Sequence, residues 1–209
     1  MLRQTRAVVC DFDGTLVDSN AIKWRAFETV FAEFADRLPE IMAYCRGCHH
    51  VPRHEKFRHV VERILGRPYT PELERRYLAQ YAAATTHAII GAPEIPGATA
   101  FIRRVRSTHV TGVLSSTPHQ VLEEILMRRG LRSAFDEVRG APVQKAAWLR
   151  EFSAYRSFEP REVVFLGDTP EYAAAAEAAG CEWIGVGVGV ADHAEIVLED
   201  FKGLGDDEH

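Results

Sequence analysis

Ala7-Val8-Val9-Cys10-Asp11-Phe12-Asp13-Gly14-Thr15 is the stretch whose reading decides the fold. Four apolar residues, two of them β-branched, stop abruptly at two acids and a glycine. Such a run predicts a strand buried on both faces, as in a parallel sheet, with polar groups at its carboxyl end. The same design recurs downstream. Val110 to Leu114 predicts a strand ending at Ser115-Ser116, Val163 to Leu166 one ending at Gly167-Asp168, and Trp183 to Val188 a last one. Helical stretches fall between them, one carrying Phe101, Ile102 and Val105. Another carries Val121, Leu122, Ile125 and Leu126 and closes at Gly130, and an alanine-rich one runs to Ala179-Gly180. This alternation predicts an α/β fold, a Rossmann-like parallel sheet with helices on both faces. Ligands of such sheets bind beyond the carboxyl ends of the strands, where Asp11, Asp13, Ser115 and Asp168 all fall.

Residues 20–90 read differently. Trp24, Phe27, Val30, Phe31 and Phe34 recur every three or four positions, as on one helix that Ser19 or Asn20 caps. Phe57, Val60, Val61, Ile64 and Leu65 mark a second helix ending at Gly66-Arg67-Pro68, and Thr70-Pro71-Glu72 opens a third. The segment Gly91 to Gly97 is a boundary or hinge. The expected organisation is a core of residues 1–18 and 92–209 with a helical insertion of residues 19–91. Residues 20–91 hold 11 Lys+Arg against 8 Asp+Glu, a net of +3, so the remainder of this −5 chain carries −8. A basic insertion facing an acidic, metal-binding core suits an anionic substrate.

The chain's 209 residues suffice for one domain, or one core with a modest insertion, at ~100–200 residues per domain. Its overall negative charge argues against nucleic acid and anionic membranes as partners. No apolar run approaches the ~20 residues that cross a bilayer, and Met1 to Cys10 lacks the layout of a signal peptide. Cys10, Cys45, Cys48 and Cys181 therefore read as reduced thiols of a cytoplasmic protein. Gly203 to His209 reads as a small, acidic, frayed tail.

Asp11 to Ser19 (DFDGTLVDS), Val113 to Thr117 (VLSST), Lys145 and Val163 to Gly180 (VVFLGDTPEYAAAAEAAG), in that order, resemble the haloacid dehalogenase superfamily of phosphohydrolases. The likeness is to its phosphoglycolate phosphatase and beta-phosphoglucomutase-like branch, which carries a helical cap after the first strand. The resemblance implies a Mg²⁺-dependent phosphatase acting on a small phosphorylated metabolite, as a monomer or weak homodimer. It casts Asp11 as the nucleophile that forms an acyl-phosphate and Asp13 as the acid that protonates the leaving oxygen and later activates water. Ser115 would bind a phosphoryl oxygen, assisted by backbone groups around Phe12, Asp13, Gly14 and Ser116. Lys145, the sole lysine between Lys56 and Lys202, would hold nucleophile and phosphate together. Mg²⁺ would take the carboxylates of Asp11 and Asp168 and the backbone carbonyl of Asp13. In the family a further acid usually follows the aspartate at the position of Asp168, often by four residues. Here Tyr172 stands there, and Glu171 is the candidate to supply the missing carboxylate near the metal.

The segment Tyr44 to His59 reads as a substrate-recognition loop of the cap. Arg46, Arg53, Lys56 and Arg58, with four histidines nearby, form a basic patch, and Arg46 and Arg53 suit a second phosphate or a carboxylate. Cys45-Arg46-Gly47-Cys48-His49 also fits a haem-attachment pattern, and Cys45, Cys48, His49 and His54 could hold zinc. Rival functions are a sugar-phosphate mutase, a phosphonate-cleaving enzyme using Lys23 or Lys56, a dehalogenase, which Asp13 disfavours, and a non-catalytic binding protein of the same fold.

Overall fold

A computed structural model describes residues 4–48, 51–202 and 204. The chain divides into two compact units, Met1–Asp18 with Ala92–His209, and Ser19–Gly91. In the first unit, strands β1 (Ala7–Cys10), β2 (Val110–Pro118), β3 (Glu137–Ala141), β4 (Val163–Gly167), β5 (Glu182–Val186) and β6 (Val197–Leu198) form one sheet. Their order is β3-β2-β1-β4-β5-β6, and every pairing is parallel. This is the α/β, Rossmann-like arrangement that the alternation of apolar runs implied. All four residues of β1 are fully buried, as its unbroken apolar run requires of a central strand. Helices α5 (Ala98–Val105), α6 (His119–Arg128), α7 (Lys145–Arg156) and α8 (Pro170–Ala179) connect the strands. Trp148, Leu149 and Phe152 of α7 and Ala176 and Ala179 of α8 pack with Ala7, Val9 and Phe165 in one apolar layer.

The strand order reverses between β1 and β4, so a crevice opens at the carboxyl ends of this pair. Cys10 lies level with Val113 of β2 and Leu166 of β4. Asp11 therefore emerges beside Leu114 and Gly167, and its N–H still donates to Leu166 O at 2.8 Å. Register alone delivers Asp11, Ser115 and Asp168 to one end of the sheet.

Two strands have no counterpart in the sequence reading. The first is β3, an edge strand of Glu-Val-Arg-Gly-Ala, too polar for an apolar-run criterion. The second, β6, is only two residues long. β2 runs four residues further than its apolar run, through Ser115 to Pro118, because buried polar residues continue the ladder. The last full strand is Glu182–Val186, not Trp183 to Val188.

The second unit is helical: α1 (Asn20–Val30), α2 (Leu38–Gly47), α3 (Arg53–His59) and α4 (Pro71–Gly91). The Trp24-to-Phe34 stripe is not one helix. α1 stops at Val30, a 3₁₀ segment covers Ala32–Arg37, and Phe34 leaves helical geometry at φ −109°, ψ 48°. Ser19 stands at the N-cap without a side-chain capping bond, whereas Thr70 Oγ1 accepts from Leu73 N–H at the start of α4. The proposed recognition loop is mostly helix, since α2 reaches Gly47 and α3 begins at Arg53. Apolar residues Ile41, Met42 and Cys45 draw α2 onto the unit's core, which explains why this stretch is ordered as helix.

That core is aromatic. Phe57 is fully buried, with ring centroids 5.4 Å from Phe27, 5.8 Å from Phe31 and 5.6 Å from Tyr77. Phe57→Ala is expected to lower stability in urea denaturation by about 3–5 kcal/mol, the usual cost of emptying a large aromatic site. A loss below 1 kcal/mol would show that the unit is not built around this ring.

Candidate active site

The loop after β1 is a tight backbone knot. Phe12 O accepts from the N–H groups of both Leu16 and Val17, and Gly14 N–H donates to Val17 O at 2.8 Å. Gly14 turns the chain at φ 81°, a conformation a side chain would strain. Its N–H is thus committed to the turn. The Phe12 side chain is fully buried, leaving only its backbone to reach a ligand.

This knot sends the two acids to different partners. Asp11, 1% exposed, receives a hydrogen bond from Lys145 Nζ on its Oδ1 at 2.5 Å. The same ammonium donates to Leu114 O at 2.9 Å and lies 3.6 Å from the centre of the Tyr172 ring. Lys145 is the first residue of α7, and its side chain is 9% exposed, so it is a built-in cation and not a solvated surface lysine. Asp13 faces β2, where Thr117 Oγ1 donates to its Oδ2 at 2.9 Å and Ser115 Oγ donates to the same oxygen at 3.3 Å. Ser115 Oγ in turn accepts from Thr117 N–H.

Thr117 is the site residue that sequence reasoning missed. The signal was present: residues 113, 115 and 117 share one face of an extended strand. The apolar run ended at Leu114, so the strand was cut short.

Asp168 follows β4 directly and is half-buried. Glu171 stands in the first turn of α8, also half-buried, one residue before Tyr172. Tyr172 itself is 5% exposed. Burial, then the fields of Asp11, Asp168 and Asp13, hold its phenol well above the ordinary tyrosine range, against a lowering hydrogen bond with Ser116. Three carboxylates thus bear on one hydroxyl. Their oxygens are the hard donors that Mg²⁺ prefers. Among the described residues, no three His, Cys, Asp or Glu side chains converge as a ready cage. Mg²⁺ keeps several waters and is commonly held through one or two carboxylates, which this donor set could supply.

The basic segment of the second unit is less of a patch than its sequence implied. Lys56 is 3% exposed and donates to Cys45 O at 2.9 Å, inside the helical core. Arg46 pairs with Glu28 at 3.0 Å on the surface, and Arg53 lies over the Tyr81 ring at 4.8 Å. Cys45 is buried, and its thiol is pushed up to about 12 by that burial. All four cysteines are free thiols. The described residues hold no metal cluster around Cys45, Cys48 and His54. His49, which both the haem and the zinc readings need, lies outside the described residues, as does most of the 203–209 tail.

A buried aspartate bonded to a lysine thus stands at the carboxyl edge of a parallel sheet. The pattern of the haloacid dehalogenase-like hydrolases matches residues 8–186, and the chain belongs to that family. It stands with the family's phosphatases. A phosphoglycolate phosphatase of Synechococcus elongatus is 28% identical over 92% of this chain and 88% of that one. A predicted phosphoglycolate phosphatase from Haemophilus somnus shares the fold at TM-score 0.76 and 16% identity, over 98% of each chain. A haloacid dehalogenase-like hydrolase from Streptococcus pneumoniae does so at TM-score 0.70 and 16% identity, over 94% and 95% of the two chains.

Thr117→Val keeps the shape of residue 117 and removes a hydrogen bond to a carboxylate. Turnover of a phosphate ester should fall about 10–100-fold, the worth of a hydrogen bond to a charged group. Thr117→Ser should remain near wild type. Equal turnover in the two variants would exclude the hydroxyl from the chemistry.

Proposed function

We propose that this hydrolase is a Mg²⁺-dependent phosphatase of small phosphorylated metabolites, working through an aspartyl-phosphate on Asp11. The observation that carries the reading is the unlike treatment of two neighbouring acids. Asp11 is held by an ammonium, and Asp13 by two neutral hydroxyls. Pairs of carboxylates set apart in this way take different roles in catalysis.

Asp11 attacks phosphorus, and the bond from phosphorus to the ester oxygen breaks. Asp13 gives its proton to that leaving oxygen. Asp13, now a carboxylate, takes a proton from water as the water attacks the same phosphorus, and the bond to Asp11 breaks to release inorganic phosphate. Lys145 neutralises charge on Asp11 and on the incoming phosphoryl group. Ser115 and the backbone N–H groups of Phe12, Asp13 and Ser116 orient its oxygens. Asp11, Asp168 and the carbonyl of Asp13 would hold Mg²⁺, with Glu171 near it. When bound, the ion supplies positive charge that stabilises the transferring phosphoryl oxygens.

The substrate we favour is 2-phosphoglycolate, after the named relative. It carries a carboxylate besides its phosphate. The helical unit of residues 19–91, with its positive balance, is proposed as the cap that selects it, through Arg46 and Arg53. Four free thiols fit a cytoplasmic setting.

Asp11→Asn should fold as wild type by circular dichroism and release no phosphate from 2-phosphoglycolate, because an amide is a very poor nucleophile. Wild-type turnover in that variant would overturn the mechanism. A separate measurement tests the cap. Arg46→Ala with Arg53→Ala should raise KM for 2-phosphoglycolate about tenfold or more and leave p-nitrophenyl phosphate nearly unchanged, since remote binding energy serves only substrates that use it. Equal effects on both substrates would remove these arginines from recognition.

A further inference from the structure

We propose that Tyr172 is a positioning residue of this site, its ring being the platform that holds the Lys145 ammonium against Asp11. The inference rests on the reading of Asp11 as nucleophile and Lys145 as its cation.

Four observations converge on it. The ammonium lies 3.6 Å from the centre of the Tyr172 ring while donating to Asp11 Oδ1 and Leu114 O. The ring is itself fixed: it packs against Phe165 at 5.7 Å between centroids and belongs to the buried layer of α7 and α8. The backbone of β4 makes room for it. A methyl group at Gly167 would fall 2.6 Å from the ring's Cδ2, so Gly167 permits this packing. Tyr172 as a whole is 5% exposed, so solvent does not compete for the ring.

The chemistry favours a ring at this place. An aromatic face attracts a cation without offering it a strong hydrogen-bond acceptor. Lys145 is thereby drawn to the correct position while its N–H groups stay directed at Asp11 and Leu114. A carboxylate at position 172 would compete with Asp11 for the same ammonium. Tyr172 thus fills space, anchors the cation and adds no charge to a cluster that already holds three acids.

The experiment compares wild type, Tyr172→Phe and Tyr172→Leu, with folding checked by melting temperature. Should Tyr172→Leu fail to fold, Tyr172→Met, ringless and adaptable, takes its place. The chain has only four lysines, Lys23, Lys56, Lys145 and Lys202, so selective ¹³C labelling of the lysine ε-carbon gives a readable spectrum. Lys145→Met assigns the relevant signal. The Lys145 ε-protons should be shifted upfield in wild type and Tyr172→Phe, and return to the ordinary position in Tyr172→Leu. Lys56, which lies over Trp24 and Phe27, should not move and serves as the internal control. For 2-phosphoglycolate or p-nitrophenyl phosphate, kcat should fall about 10–30-fold in Tyr172→Leu, the weight of a desolvated cation–aromatic contact, with KM little changed. Tyr172→Phe should stay within about threefold of wild type. In a Lys145→Met background, Tyr172→Leu should cost nothing more in single-turnover phosphate release. An unshifted Lys145 signal in wild type would overturn the proposal. So would equal losses in the Phe and Leu variants, or an undiminished loss without Lys145. If wild type releases phosphate from no ester, the phosphatase reading fails, and the lysine spectrum alone decides whether the ring holds the ammonium.

Discussion

The contact between the Lys145 ammonium and the Asp11 carboxylate joins residues 134 positions apart, and the rest of the site depends on it. Both side chains are withdrawn from water. A buried pair of this sort gains little over an apolar pair of the same volume, because desolvation consumes most of its attraction. Losing one partner is another matter and costs about 3–5 kcal/mol. The pair is therefore a poor way to stabilise a sheet and a good way to hold a reactive carboxylate in one orientation. Its geometry requires β1 beside β2, since Lys145 also reaches Leu114 O, and requires α7 to begin level with the strand ends. The parallel order is what meets both demands at once.

The polar residues of the core are concentrated accordingly. Asp11, Asp13, Thr15, Ser115, Thr117 and Thr169 are all buried and all lie just beyond or at the carboxyl ends of strands. β1 and β4 themselves are apolar throughout. This end of the sheet thus carries much of the cost of burying polar groups: Asp13 is offset by two hydroxyls, whereas Thr15 Oγ1 and Thr169 Oγ1 are buried without a hydrogen-bond partner among the described residues. Such networks hold only when satisfied, so a single lost hydroxyl should disturb the acid it serves more than the fold around it.

How much of this was legible from residue order depended on which force set each feature. Central strands announced themselves, because a strand buried on both faces must be continuously apolar, as Ala7–Cys10 and Val163–Leu166 are. The edge strand Glu137–Ala141 did not, because half of an edge strand faces solvent and carries Glu137 and Arg139. The positions of Asp11, Ser115 and Asp168 followed from the strand ends. The partner of Asp13 did not, because Thr117 is polar within a ladder that local hydrophobicity had already ended. In the helical unit, periodicity located the apolar residues but not the breaks. Val30 and Phe31 share the core across a change from α to 3₁₀ geometry that only packing decides. The basic segment misled for a related reason: charge in the sequence does not say whether a side chain faces water, and Lys56 does not.

Lys56 and Lys145 make the final distinction. Each is a lysine largely withdrawn from water on aromatic rings, Lys56 over Trp24 and Phe27, Lys145 over Tyr172 and Phe165. Burial and ring contact alone would therefore nominate both for chemistry. Their acceptors separate them. Lys56 donates to Cys45 O near the carboxyl end of α2, where a helix leaves carbonyls unpaired and a cation is favoured by the helix dipole. That is a structural use, tying α3 to α2. Lys145 donates to a carboxylate at the carboxyl end of β1, beside a second acid held by two hydroxyls. In the proposed mechanism it is there that a cation shares its field with the carboxylate that bonds phosphorus.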